Sequence, residues 1–127
     1  MIKKMTNTQL FFLYEGLAKL RNLELKTPVR TSFSIVKNIK TLAKDYEAIE
    51  QARTDIVEKY QPLDFDNVEL IDKVNKELSE LGDIEVEIDI SPIKLSDIES
   101  LDIPLDIIET IEPIIEEWLA NSLLFFL

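Results

Sequence analysis

Three acids, Glu85, Glu87 and Asp89, alternate with Ile84, Val86, Ile88 and Ile90 in the segment GDIEVEIDISP at 82–92. Carboxylates in a row offer two kinds of chemistry, divalent-cation binding and a paired general acid and base. Their spacing limits both. Alternate residues of a strand lie about 6.6–6.8 Å apart, so neighbours in the row do not chelate one ion without ligands from elsewhere. That separation would flank a glycosidic bond, but the chain supplies no aromatic-rich platform for a sugar. A metal-dependent nuclease would place a lysine just after its second acid, and the nearest, Lys94, lies beyond Pro92. The row reads first as the wet face of a strand, then as a surface for a protein partner, and last as a metal or catalytic site.

Other routes to chemistry are narrower still. The 127 residues contain no Cys and no His. This removes thiol nucleophiles, disulfides, Cys/His zinc sites, haem-ligating His and any His general base. Ser32, Ser34, Ser91 and Ser96 have no base to activate them, and no Ser/Lys motif is present. Two isolated glycines, Gly16 and Gly82, do not make a phosphate-cradling loop. The expectation is a protein that is not an enzyme and carries no cofactor and no metal.

Charge points toward binding instead. Residues 1–44 hold nine Lys/Arg against two acids, a net +7, and residues 45–127 hold five against 23, a net −18. A molecule so polarised selects a basic or bipolar partner, a second copy of itself included. Glu109, Glu112, Glu116 and Glu117, read as outward residues of a last helix, would join the strand row in one acidic face that docks on a protein or imitates the phosphates of DNA. On the other side Lys26, Arg30, Lys37, Lys40 and Lys44 form a basic cluster, with Arg30, Lys37 and Lys44 seven residues apart. They read as a solvated helix face, an acidic-partner site or a weak nucleic-acid site that salt would screen. Nucleic acid is the disfavoured partner because the chain as a whole is at −11.

These residues need elements to position them. MIKKM suits a short edge strand, and TNTQ offers N-caps for a first helix whose Leu10, Leu13, Leu17 and Leu20 form one apolar stripe. Gly16 on that helix would permit a close crossing. Thr27 as N-cap and Pro28 at the first helical position open a second helix, free of Gly and Pro until about Tyr60. Along it Ile35, Ile39, Leu42, Tyr46, Ile49, Arg53, Ile56 and Tyr60 recur at alternating spacings of four and three. Such a seam packs on the rest of the chain or on a second copy in a homodimer. Arg53, its one charged member, either sets the register of that pairing or snorkels to water. A third helix carries Leu70 or Ile71, Val74, Leu78 and Leu81 and ends at Gly82 as its C′ residue. Ser96 and Glu99 have capping-box spacing, and a last helix starts near Leu105 with Ile108, Ile111 and Ile115 inward and Pro113 ending or kinking it.

The expected fold is therefore α+β and mostly α. A long central helix is packed by two shorter ones, a small antiparallel sheet pairs the opening strand with residues 84–90, and an acidic helix closes the chain. One domain spans 1–127, with a basic-to-neutral helical hairpin at 1–62 and an acidic helix-strand-helix part at 63–127. No apolar stretch reaches the ~20 residues of a membrane span. The N-terminal apolar run is interrupted by Glu15 and lacks a cleavage pattern, so the reading is soluble and intracellular. Trp118 and SLLFFL are expected to pack back on the body or on a partner.

Three segments carry a resemblance: MIKKMTNTQL at the start, LKTPVRTSFSIVKNIKTL with its long helix to EKY, and ELSELGDIEVEIDISPIKLSDIESLDIPLDIIETIEPIIEE. In layout and hydrophobic pattern, over about three quarters of the chain, it resembles a family of small proteins of unknown function encoded by phages and prophages of Gram-positive bacteria. QPLDFDN replaces a longer Gly-containing acidic loop of such proteins, and WLANSLLFFL is additional. No catalytic residue is established for that family. The resemblance implies a phage accessory protein in the bacterial host cytoplasm that binds a host or phage protein, a host-defence component foremost, and inhibits it by steric blockade through the acidic face. A self-associating virion assembly protein is the alternative, and a weak nucleic-acid binder using the basic helix the next.

Overall fold

The computed structural model describes residues 1–116. In order it forms β1 (Ile2–Thr6), α1 (Asn7–Asn22), α2 (Val29–Lys59), α3 (Val68–Asp83), β2 (Glu85–Asp89), β3 (Ile93–Lys94), α4 (Leu105–Ile111) and β4 (Ile115–Glu116). Short 3-10 turns at Leu95–Asp97 and Glu112–Ile114 precede and follow α4. The mostly helical α+β architecture expected from the pattern is the one observed, with α1 and α3 packed on the 31-residue α2.

β1 runs into α1 without a loop. Thr6 is the N-cap: its hydroxyl accepts from the Gln9 backbone N–H, and the Gln9 side chain accepts from the Thr6 N–H in return. The stripe of Leu10, Leu13, Leu17 and Leu20 is buried to 3% exposure or less. Gly16 lies where α1 crosses α4, and a Cβ there would overlap the Thr110 hydroxyl, so the crossing requires glycine.

Gly82 acts differently from expectation. It lies within the last turn of α3, with no positive φ, and the helix runs on to Asp83 with Ile84 as its C-cap residue. What it permits is close approach: Thr8 donates to the Gly82 carbonyl and would collide with a Cβ, while Asn7 Nδ2 donates to the Leu81 carbonyl. The start of α1 thus satisfies carbonyls that the end of α3 leaves open.

Other boundaries are corrected as well. Pro28 is itself the N-cap residue of α2, with no side-chain cap bond, while Thr27 and Ser32 share a hydroxyl hydrogen bond. The turn at Leu95–Asp97 has no capping bond from Ser96. The last helix among the described residues, α4, has seven: Ile107 and Ile111 are buried on it, Ile108 is half-buried, and Ile115 belongs to β4. β4 pairs with β3 in parallel, Ile93 opposite Ile115, a contact no local pattern announced. One cluster of buried residues, from Met5 to Ile115, joins these elements.

Candidate functional site

β2 is a strand because its β-branched residues alternate with acids and one face is buried. It pairs antiparallel with β1, with Lys4 opposite Glu87, Thr6 opposite Glu85 and Ile2 opposite Asp89. Opposite residues share a face, so Glu85, Glu87 and Asp89 stand outward with Ile2 and Lys4, while Met5, Val86 and Ile88 turn toward the core.

The row is partly neutralised. Lys4 Nζ lies 2.8 Å from Glu85, and the Met1 amino group donates to Asp89 at 2.9 Å. Hydrogen bonding to that ammonium, then its charge, holds the Asp89 carboxyl below the ordinary value, and Glu85 raises Lys4 in the same manner. Glu87 has no ion pair among the described residues. Nor do any three acids among them converge closely enough to hold a metal ion.

A second group of acids stands elsewhere. Glu109 is on α4, Glu112 in the 3-10 turn and Glu116 on β4, so they do not share one helix face as expected. Glu117 lies outside the described residues. Glu109, Glu112 and Glu116 are exposed along a groove of about 740 Å³ between β1, α1 and the 109–116 segment. The β1 residues Lys3 and Lys4 line the same groove, and Lys3 Nζ donates to the Pro113 carbonyl at 2.6 Å. The acids therefore form two groups, the β2 row and the groove rim, with basic β1 side chains near both.

The basic cluster is also divided. Arg30 Nε and Nη2 donate to the two oxygens of Asp97 at 2.8 and 2.7 Å, and the Thr31 hydroxyl donates to Oδ2 at 3.1 Å. The Asp97 side chain is 8% exposed, and Arg30 holds its carboxyl below the ordinary value. It supplies an anion at the first turn of α2, which has no acid of its own. Lys26, Lys37, Lys40 and Lys44 remain outward, Lys37 over the exposed Phe33 ring at 5.9 Å.

The heptad seam faces the chain's own body. Ile35, Leu42 and Ile49 are buried, Ile39 and Tyr46 pack against the same core, and Ile56 and Tyr60 are half-buried. α1, α3, β2 and β3 supply the cover. Arg53 is exposed, with its guanidinium 5.3 Å from the Phe11 ring centroid and 3.1 Å from Glu50. Its charge is engaged within the chain rather than held in a buried register contact.

Sequence reasoning missed the polar row Thr31, Ser34 and Asn38, all buried. Asn38 Nδ2 donates to the Ser91 carbonyl at 2.8 Å, its Oδ1 accepts from the Ser91 N–H at 2.7 Å, and the Ser34 and Ser91 hydroxyls are 2.9 Å apart. Their spacing of three and four, continued by Leu42 four residues on, is the signal that placed them inward.

No helix among the described residues is long and apolar enough to cross a membrane. No protein-family model matches the chain, and neither the curated proteins nor the solved structures contain a detectable match.

Proposed function

We propose that this protein is a non-enzymatic binding protein that attaches to another protein through acidic side chains. The phage-like layout of the sequence directs the reading to a host component, a defence protein foremost, blocked sterically. Its support is that four carboxylates of the candidate surface, Glu87, Glu109, Glu112 and Glu116, are exposed and have no ion pair among the described residues. Such groups give up no ion pair of this kind when they meet a basic surface, and they steer its approach. Glu85 and Asp89, engaged by Lys4 and the Met1 amino group, contribute less.

Affinity capture from a Gram-positive lysate, followed by binding kinetics on the retained protein, tests the reading. The expected result is one dominant partner whose association rate falls with salt. Combining Glu87→Lys, Glu109→Lys, Glu112→Lys and Glu116→Lys should slow association at least about tenfold, within the range attributed to steering, with circular dichroism unchanged. Undiminished binding by that variant would remove the acidic-surface mechanism, and an empty capture would remove the inhibitor reading.

A further inference from the structure

We infer that the outer face of α2 pairs with the same face of a second copy of this chain, the two helices antiparallel about a two-fold axis near Glu47 and Ala48. The seam of α2 is occupied by the chain's own body, but the opposite side of the helix carries a pattern as regular. Val29, Phe33, Lys37, Lys40 and Lys44 follow one another at spacings of four, four, three and four, and all are exposed. Glu47, Gln51, Asp55 and Glu58 continue the line at spacings of three and four, exposed as well. At about 100° per residue these positions fall within an arc of about 80°. One stripe therefore runs the length of the helix, with two apolar residues first, three cations next and three anions in its second half. None of the six charged groups has an ion pair among the described residues; Lys37 lies over the Phe33 ring, and Asp55 accepts a hydrogen bond from Gln51.

Charges segregated in this way do not stabilise a single helix. Lys37, Lys40 and Lys44 are neighbours at spacings of three and four and repel one another, as Asp55 and Glu58 do, whereas interleaved signs would attract. A surface of the reverse order offsets that repulsion, and the stripe itself, read backwards, is one. Antiparallel pairing centred between Glu47 and Ala48 sets Lys37 level with the partner's Glu58, Lys40 with the partner's Asp55 and Lys44 with the partner's Gln51, and the two-fold axis repeats each contact. Parallel pairing would bring like charges together, at a cost. At each end Phe33, 65% exposed, comes level with the turn that follows the partner's Tyr60, and that turn carries Phe65, 80% exposed. The net charge of −11 on each copy opposes association. At about 0.15 M salt such repulsion fades over about 8 Å, so the charges that count are those near the contact, and there the signs match. A stripe about 44 Å long and about 10 Å wide covers roughly 400–500 Å² per copy, about half of a standard interface. The dimer is thus a weak and reversible one. It uses neither the β2 row nor the groove rim, and stands apart from the partner proposed above.

Sedimentation and light scattering of the full chain, over a concentration series reaching about 1 mM, the range of weak complexes, test the pairing. The mass is expected to rise toward twice the 14.7 kDa of one chain. An all-acidic stripe, made by Lys37→Glu, Lys40→Glu and Lys44→Glu, and an all-basic one, made by Glu47→Lys, Asp55→Lys and Glu58→Lys, should each stay monomeric over that series with far-ultraviolet circular dichroism unchanged, every altered side chain being exposed. Mixed in equal amounts, the two variants should form a heterodimer. All six substitutions in one chain invert the stripe and should restore the homodimer. Since the chain has no cysteine of its own, Ala48→Cys beside the axis should oxidise to a disulfide-linked dimer, whereas Val29→Cys, whose two copies lie about 55 Å apart along the helices, should not. An unaltered chain that is monomeric at about 1 mM would overturn the proposal, as would a homodimer that survives in either single-sign variant or a mixture of the two that stays monomeric. Linkage through Val29→Cys would overturn the antiparallel arrangement.

Discussion

Between Thr31 and Asn38, α2 turns hydroxyl and amide groups inward; from Tyr46 onward it turns one ring and then aliphatic side chains inward and keeps its charges nearer the surface. In the first half the partners are Asp97 and Ser91, reached by donors and acceptors at 2.7–3.1 Å. In the second, Tyr46 stacks on Phe11 and Tyr14 at 5.0 and 4.1 Å, while Arg53 pairs with Glu50 and Lys59 with Glu77. Apolar and stacking contacts tolerate sliding by a fraction of a turn. The Asn38 amide, answering both the N–H and the C=O of Ser91, fits one position only. The first half fixes where the link after β2 docks, and so how the acidic strand is held, whereas the second half contributes burial with looser geometry.

Breaking the first half should cost most. Asn38→Leu keeps the volume roughly and removes both bonds, leaving the Ser91 N–H and C=O without a partner. At about 1–3 kcal/mol for each of the two orphaned, partly buried groups, the loss should fall within about 2–6 kcal/mol, read as a lower denaturant midpoint at unchanged slope. A loss under about 1 kcal/mol would mean that water replaces the amide, and the contrast between the halves would fail.

Acid separates the halves next. Asp97 is held below the ordinary aspartate value of 3.8, first by hydrogen bonding to Arg30, and Glu77 below 4.5, first by hydrogen bonding to Lys59 and then by Tyr60. A depressed carboxyl stabilises the fold above its unfolded value and stops doing so as pH falls through its folded value. Both therefore steepen the loss of stability below about pH 4. Asp97 is the more enclosed, with 8% side-chain exposure against 28% for Glu77, so solvent screens it less. Asp97→Asn should flatten the stability profile between pH 4 and pH 2 more than Glu77→Gln, measured by urea unfolding at stepped pH. The reverse order would place the tighter electrostatic lock in the second half.

What the amino-acid order disclosed follows the same division. Period-two alternation named β2 and its wet face, and the leucine stripe named the inner side of α1, because burial on one face leaves a local period. Gly16 was readable as a crossing, since a glycine amid a leucine stripe has few other uses. Gly82 was misread because a C′ glycine and a close-approach glycine look alike until Thr8, 74 residues away, is brought to it. Asp97 at the start of α2, the β3–β4 pair and the groove beside Phe12 likewise depend on distant partners. The acids of the candidate surface were identified by type, but which of them meet Lys4 or the Met1 amino group is set by the β1–β2 register. The spacing of Glu109, Glu112 and Glu116 implied one helix face, and Pro113 ended that helix before they could share it.

Arg53 should have the smallest effect, and it tests the second half most directly. Its spacing in the seam admits a role in holding a second helix in register, whereas in the fold it lies over Phe11 and beside Glu50 with half its side chain in water. An exposed cation–π contact is worth about 0.5–1 kcal/mol, and a surface pair about 0–1 kcal/mol. Since one guanidinium serves both, Arg53→Gln should lower stability by no more than about 1 kcal/mol and leave the mass from light scattering unchanged. A change in oligomeric mass would restore the register role, and a loss approaching that of Asn38→Leu would show the aromatic half to be as exacting as the polar one. The expected outcome, a small loss at constant mass, follows because a solvated charge can be removed without leaving a buried partner stranded, which Asn38 cannot.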